Sequence, residues 1–132
     1  MGAKRAKTNG NTLIHSYVHL DKYNIVQPDV FWVSGKDSKS KLGDDGYWHG
    51  APDLVVEIIS EGTGRRDRHE KFTLYEKHGS REYWLVDPVT KLVEVWVLTK
   101  GKLVRQGVYS DEETFKSPVL GGAAIALKDV FE

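Results

Sequence analysis

Apolar and polar positions alternate from Asp53 to Ile59. Leu54, Val56 and Ile58 fall on one side of an extended chain, and Asp53, Val55, Glu57 and Ile59 on the other. One face of this predicted strand is wholly aliphatic, whereas the other sets two acids beside Val55 and Ile59. Upstream, Ile25 to Val33 is rich in β-branched and aromatic residues and is interrupted by Pro28, which belongs at a strand start or edge. Between these two segments, residues 34–51 carry Gly35, Gly43, Gly46 and Gly50 among Ser, Lys and Asp. They read as a long solvated loop of the kind that often belongs to function. Leu13, Ile14, Tyr17, Val18 and Leu20 mix helical and strand spacings, so residues 13–26 fit a strand or a short helix. Residues 1–12 are small, polar and basic and read as a flexible tail.

After the Asp53–Ile59 strand, residues 60–64 break the pattern. A helix is predicted from Arg66 to His78, because Phe72, Leu74, Tyr75 and His78 form a helical stripe and Gly79 fits the position just past its end. Glu82 to Asp87 is the next strand, stopped by Asp87-Pro88. Leu92 to Leu98 and Leu103 to Tyr109 flank a turn at residues 99–102 and read as a hairpin. A last short strand is expected near Ala124 to Leu127, ending in a turn at Lys128-Asp129. This order predicts an α/β (α+β) domain over residues 13–132, a mixed sheet with one flanking helix.

At 132 residues the chain can enclose one core. No apolar run approaches the roughly 18 residues of a membrane span, and no apolar stretch follows Lys4, Arg5 and Lys7 as a secretory signal requires. The absence of cysteine excludes disulfides and thiolate metal sites and agrees with a cytoplasmic location. Nineteen basic and nineteen acidic residues leave no net charge. Any contact with nucleic acid must therefore be local or be supplied by a partner subunit, since phosphate-coating proteins carry a basic excess.

Four residues along a strand separate Asp53 and Glu57 by roughly 13 Å, too far for direct contact. A cation near Glu57 would draw its second carboxylate from Asp29, at the start of the preceding strand. An acid among apolar neighbours loses hydration and needs a cation or hydrogen bonds, and Mg²⁺ meets that need. A solvated sheet face is the competing explanation for Glu57. Asp67, Lys71 and Tyr75 are stacked at four-residue intervals on the helix. Lys71 could orient a water and stabilise charge, or simply form a surface ion pair with Asp67. Arg65, Arg66 and Arg68 are the densest basic cluster and suit either phosphate at a helix N-terminus or a solvated turn. His15 and His19 are four apart, but no HExxH pattern accompanies them to argue for zinc. Gly62-Thr63-Gly64 lacks a Walker lysine, and Ser60 lacks triad partners.

The order of these strings is more specific than any one of them. Gln27-Pro28-Asp29-Val30, residues 51–60 (APDLVVEIIS), Asp67, Lys71, Tyr75, Gly79, residues 82–88 (EYWLVDP) and the ending from Ser117 to Phe131 together resemble the Uma-type restriction endonuclease family. That family belongs to the PD-(D/E)XK nuclease superfamily, and the resemblance covers residues 25–132. It implies a restriction-endonuclease-like fold, here with the N-terminal helical region shortened or absent. It also implies a Mg²⁺-dependent endonuclease acting on DNA, with Mn²⁺ able to replace Mg²⁺. By position, Asp29 matches the acid of the first PD strand, and Asp53 and Glu57 match those of the second. The metal ligands implied are Asp29, Asp53 and Glu57, and the catalytic set is Asp53, Glu57 and Lys71. Ile59 occupies the usual lysine position, so the resemblance assigns the amine to Lys71 on the following helix, supported by Asp67 and Tyr75. The rival expectation is a catalytically inactive nuclease-like module used for binding or for forming a homo-oligomer through exposed strand edges.

Overall fold

The central strands are apolar on both faces, so the sheet they form buries two cores. The structure, a computed structural model, describes residues 10–35, 37–60 and 65–131, excluding the side chains of Arg65 and Arg66. Six strands make the main sheet: β1 (Asn11–Ile14), β4 (Val30–Val33), β7 (Leu54–Ile58), β8 (Glu82–Asp87), β9 (Leu92–Thr99) and β10 (Lys102–Ser110), paired in that order. Neighbours are antiparallel except β7 and β8, which are parallel and joined through helix α1 (Arg65–His78). A parallel pair needs such a crossover, because a tight turn cannot bring the chain back to the same end.

Val55, Tyr83 and Phe31 face α1 and build the first core with Tyr75 from the helix. Leu54, Val56, Trp84, Val86, Val93 and Val95 face the opposite way, into the second core. The sidedness predicted for residues 53–59 is therefore present, with both sides covered. A side chain such as Val55 or Phe31, fully removed from water, contributes roughly 1.5–3 kcal/mol. Strands β11 (Thr114–Ser117) and β12 (Ala123–Ala126), a 3-10 turn at Pro118–Leu120 and a short helix α2 (Leu127–Val130) close the second core with Phe115, Val119 and Leu127.

Several segments differ from the sequence reading. Asn11 and Thr12 pair with Val33 and Trp32, so the first strand takes in the last two residues of the expected tail. Residues 13–26 supply the end of β1 plus two two-residue strands, β2 (Val18–His19) and β3 (Ile25–Val26), and no helix. Pro28 divides Ile25–Val33 into β3 and β4, which lie in different sheets, because proline has no N–H with which to continue a ladder. The expected loop at 34–51 contains β5 (Lys41–Leu42) and β6 (Trp48–His49), completing a second sheet in the order β3-β2-β6-β5. That small sheet lays Val18, Leu20, Val26 and Trp48 onto the α1-side core, with Trp48 edge-on to Phe31. The turn expected at Lys128-Asp129 lies within α2.

Helix α1 ends as the sequence predicts. Gly79 takes φ +85°, its N–H bonds to the Glu76 carbonyl, and Ser80 N–H bonds to the Tyr75 carbonyl, a paired closure that satisfies two of the last carbonyls. The β9–β10 turn places Lys100 and Gly101 at positive φ, the conformation that matches the twist of a two-residue hairpin. Among the described residues no helix is long and apolar enough to cross a membrane.

Candidate active site

Register brings the first two acids together. Because Val30 stands opposite Val56 in the antiparallel β4–β7 ladder, Asp29 and Glu57 meet at its end. There the side chains replace the next rung: Asp29 N–H donates to Glu57 Oε1 at 3.1 Å, and Ile58 N–H donates to Asp29 Oδ2 at 2.7 Å. Each carboxylate is thus fixed by the strand that carries the other. Glu57 is only 6% exposed, which costs an ionised carboxylate much of its hydration.

The helix supplies the third component from the same side of the sheet. Lys71 Nζ lies 3.7 Å from Glu57 Oε2 and 3.6 Å from Asp67 Oδ2, and the Tyr75 hydroxyl donates to Glu57 Oε2 at 3.4 Å. Burial pushes the Glu57 carboxyl above its ordinary range, against the attraction of Lys71 and the Asp29 N–H bond, both of which favour the charged form. Burial also drives the Tyr75 hydroxyl well above its usual value, reinforced by the adjacent Glu57 charge, so Tyr75 stays a hydrogen-bond donor. Asp29 and Glu57 are a pair: among the described residues no three His, Cys, Asp or Glu side chains gather closely enough to hold a metal ion. Two oxygen donors, one of them incompletely compensated, fit a hard divalent cation that keeps most of its waters.

The family model described as "Putative restriction endonuclease", Uma2, matches residues 6–128. This chain belongs to the Uma2 family. A solved structure of a putative nuclease belonging to DUF820 from Anabaena variabilis superposes with a TM-score of 0.73 at 16% identity, covering 96% of this chain and 70% of that one. The likeness shows a shared nuclease-like α+β fold. No curated protein matches the chain.

In this Uma2 chain the remaining expected site residues go elsewhere. Asp53 sits at the far end of β7 from Glu57, where its carboxylate accepts from Ser34 N–H at 2.8 Å and pairs with Arg81 Nη1 at 3.3 Å. Its carbonyl takes the N–H groups of Arg81 and Glu82. The structure therefore brings Asp29, Glu57, Lys71, Asp67 and Tyr75 together and leaves Asp53 out. The physical reason is the 3.3 Å rise of a strand, which four residues cannot fold back. Asp53→Ala is expected to destabilise the fold by roughly 1–3 kcal/mol, because Ser34 N–H loses its acceptor. Calorimetric unfolding of the variant beside the wild type reads the loss.

Arg68 lies on α1 beside the sheet, half-buried, whereas the side chains of Arg65 and Arg66 are outside the described residues. His15 and His19 do not form a pair. His15 Nδ1 is 3.9 Å from Asp29 Oδ1, while the His19 ring packs on His49 and Tyr47 in the small sheet. The sequence reading of the Uma2 site missed His15 as a neighbour of Asp29. Its position depends on a left-handed backbone (φ +49°) and on a hydrogen bond from His15 N–H to the Asp29 carbonyl, neither of which spacing reveals.

Proposed function

We propose that this chain is a Mg²⁺-dependent endonuclease that hydrolyses phosphodiester bonds in DNA, with Asp29 and Glu57 holding the cation and Lys71 acting on the reacting phosphate. The observation carrying this reading is the 3.7 Å approach of Lys71 Nζ to Glu57 Oε2, across from the Asp29 carboxylate on the same side of the sheet. Membership of a nuclease family supports it.

When bound, the cation would draw electron density from the phosphoryl group and offset charge on the leaving oxygen. The rest falls to the chain. The Asp29 and Glu57 carboxylates are already oriented by Ile58 N–H and Asp29 N–H, so binding requires little rearrangement. Tyr75 fixes the second Glu57 oxygen from the core side. Lys71, about one-third exposed, can turn its ammonium toward a phosphate lodged over the acid pair and stabilise the negative charge that builds as water attacks. Asp67 flanks the same amine on the solvent side and holds it near the site when no substrate is present.

Lys71→Met keeps the length of the side chain and removes its charge. It is expected to lower Mg²⁺-dependent nicking of supercoiled plasmid by about a hundredfold, and to lower the melting temperature at pH 8 but not at pH 4, because the buried Glu57 charge loses its nearby cation. Cleavage by the variant at the wild-type rate would remove Lys71 from the mechanism. Absence of any Mg²⁺- or Mn²⁺-dependent cleavage by the wild-type chain would remove the proposal.

A further inference from the structure

Each carboxylate of the acid pair uses one oxygen to close the ladder and sets the other beside a nitrogen. Glu57 Oε1 takes Asp29 N–H, and its Oε2 lies 3.7 Å from Lys71 Nζ. Asp29 Oδ2 takes Ile58 N–H, and its Oδ1 lies 3.9 Å from His15 Nδ1. The strands run β1, β4, β7 across the sheet, so the succession is His15, Asp29, Glu57, with Lys71 arriving from α1. Lys71 closes one end of the pair and His15 the other.

His15 reaches this place through an unusual backbone. It takes φ +49°, in the left-handed region that residues with a side chain rarely enter. Among the described residues, the other two non-glycines there are Lys91 and Lys100, in the turns that join β8 to β9 and β9 to β10. No such hairpin explains His15, because β1 pairs with β4 whereas β2 pairs with β3 and β6. Two hydrogen bonds clamp the conformation. His15 N–H donates to the Asp29 carbonyl at 3.1 Å, and Gln27 Nε2–H donates to the His15 carbonyl at 2.8 Å. Strain held in this way by its surroundings gathers at functional sites. The ring itself is uncommitted: it stands too far from Asp29 Oδ1 for a hydrogen bond, and 67% of the side chain is open to solvent. Either neutral tautomer carries one N–H, so a donor is present whatever the protonation state.

We propose that His15 is a phosphate-binding residue of the site, its ring N–H donating to an oxygen of the DNA phosphate at the Asp29 end of the acid pair. Lys71 meets the same phosphate from the Glu57 end. This deepens the nuclease reading and rests on it for the position of the phosphate. Two donors at opposite ends fix the orientation of the group, which a single flexible lysine cannot do.

Glycine and asparagine separate the ring from the backbone. Both accept positive φ, and asparagine also carries a side-chain N–H. His15→Gly and His15→Asn are therefore expected to melt close to the wild type. Binding of a short fluorescent DNA duplex is read by anisotropy at pH 8 in Ca²⁺, which takes oxygen ligands as Mg²⁺ does. His15→Gly should weaken binding about tenfold, the size of one hydrogen bond to a charged group, and His15→Asn should recover most of that loss. In the full wild-type chain with ¹³C-labelled histidine rings, the His15 signal is the one missing from either variant. It should shift when the duplex is added in Ca²⁺ and stay in place with Ca²⁺ alone. Should one variant fail to fold, the other assigns that signal and the wild-type titration decides. The proposal is overturned if folded His15→Gly binds DNA like the wild type, if His15→Asn binds no better than His15→Gly, or if the His15 signal ignores the duplex. A shift with Ca²⁺ alone overturns it too, because the ring would then answer to the cation. The two readings come apart in Mg²⁺. A chain that binds DNA through His15 yet never cuts it sinks the nuclease and spares the phosphate contact, whereas cleavage by a chain whose DNA binding is indifferent to His15 does the reverse.

Discussion

Glu57→Gln is expected to lower Mg²⁺-dependent cleavage by about a thousandfold while making the folded protein more resistant to heat at pH 8. Both effects have one origin. The Glu57 carboxylate is buried, and desolvation outweighs the help it receives from Lys71 and from the Asp29 N–H, so its carboxyl sits above the ordinary range in the folded state. The folded chain therefore binds that proton more tightly than the unfolded chain does. The resulting stabilisation is fully present below the unfolded value near 4.5 and is lost as pH rises through the raised folded value. At pH 8 the wild type carries a buried charge that glutamine does not. The amide oxygen still accepts from Asp29 N–H, so the ladder end is preserved. Paired thermal melts at pH 8 and pH 4 read the sign: the advantage of the variant should shrink toward acid. A variant that is less stable than the wild type at pH 8, yet equal to it at pH 4, would show that Lys71 overcompensates the burial.

The largest effect on stability is expected from a residue outside the site. Glu82 is fully buried at the start of β8, where three donors converge on its carboxylate: Trp84 Nε1–H, Ser117 Oγ–H at 2.7 Å and Val119 N–H at 3.0 Å. This network ties the main sheet to β11 and the 3-10 turn that close the second core. Glu82→Ala strands all three donors, and each buried unsatisfied group costs about 1–3 kcal/mol. Allowing for partial relaxation, the loss should be roughly 3–5 kcal/mol. Urea unfolding measures it, with Glu82→Gln falling between because one acceptor oxygen remains. Mg²⁺ affinity of the folded fraction should stay at the wild-type value, since Glu82 faces the second core and Glu57 the first.

What could be read in advance depended on how far apart the interacting residues are. The Leu54–Ile58 strand and the Arg65–His78 helix are legible because each repeats its period over several residues, with Pro52 just before the strand and Gly79 just after the helix. The pairing of Asp29 with Glu57 was suggested by the place of Asp29 at the start of the preceding strand. The Lys71 assignment came through family resemblance, because an i,i+4 acid–lysine pair on a helix is commonplace on any surface. Strands β2, β3, β5 and β6 have two residues each, too few to display a period of two. The partners of Asp53 were not legible, because an acid at the end of an aliphatic strand looks the same whether it binds a cation or clamps Ser34 and Arg81. Glu82 gave no sign of burial, since its partners Ser117 and Val119 lie 35 and 37 residues downstream.

The acid pair straddles two strands of very different standing. Glu57 belongs to β7, paired on both sides within the sheet, whereas Asp29 precedes β4, a four-residue strand whose outer neighbour β1 is the last strand on that side among the described residues. Opening that margin would pull Asp29 away from Glu57 while the β7–β10 centre stays intact. Loss of chemistry on gentle warming should accordingly run ahead of global melting, and the margin, more than the core, sets the working temperature of the molecule.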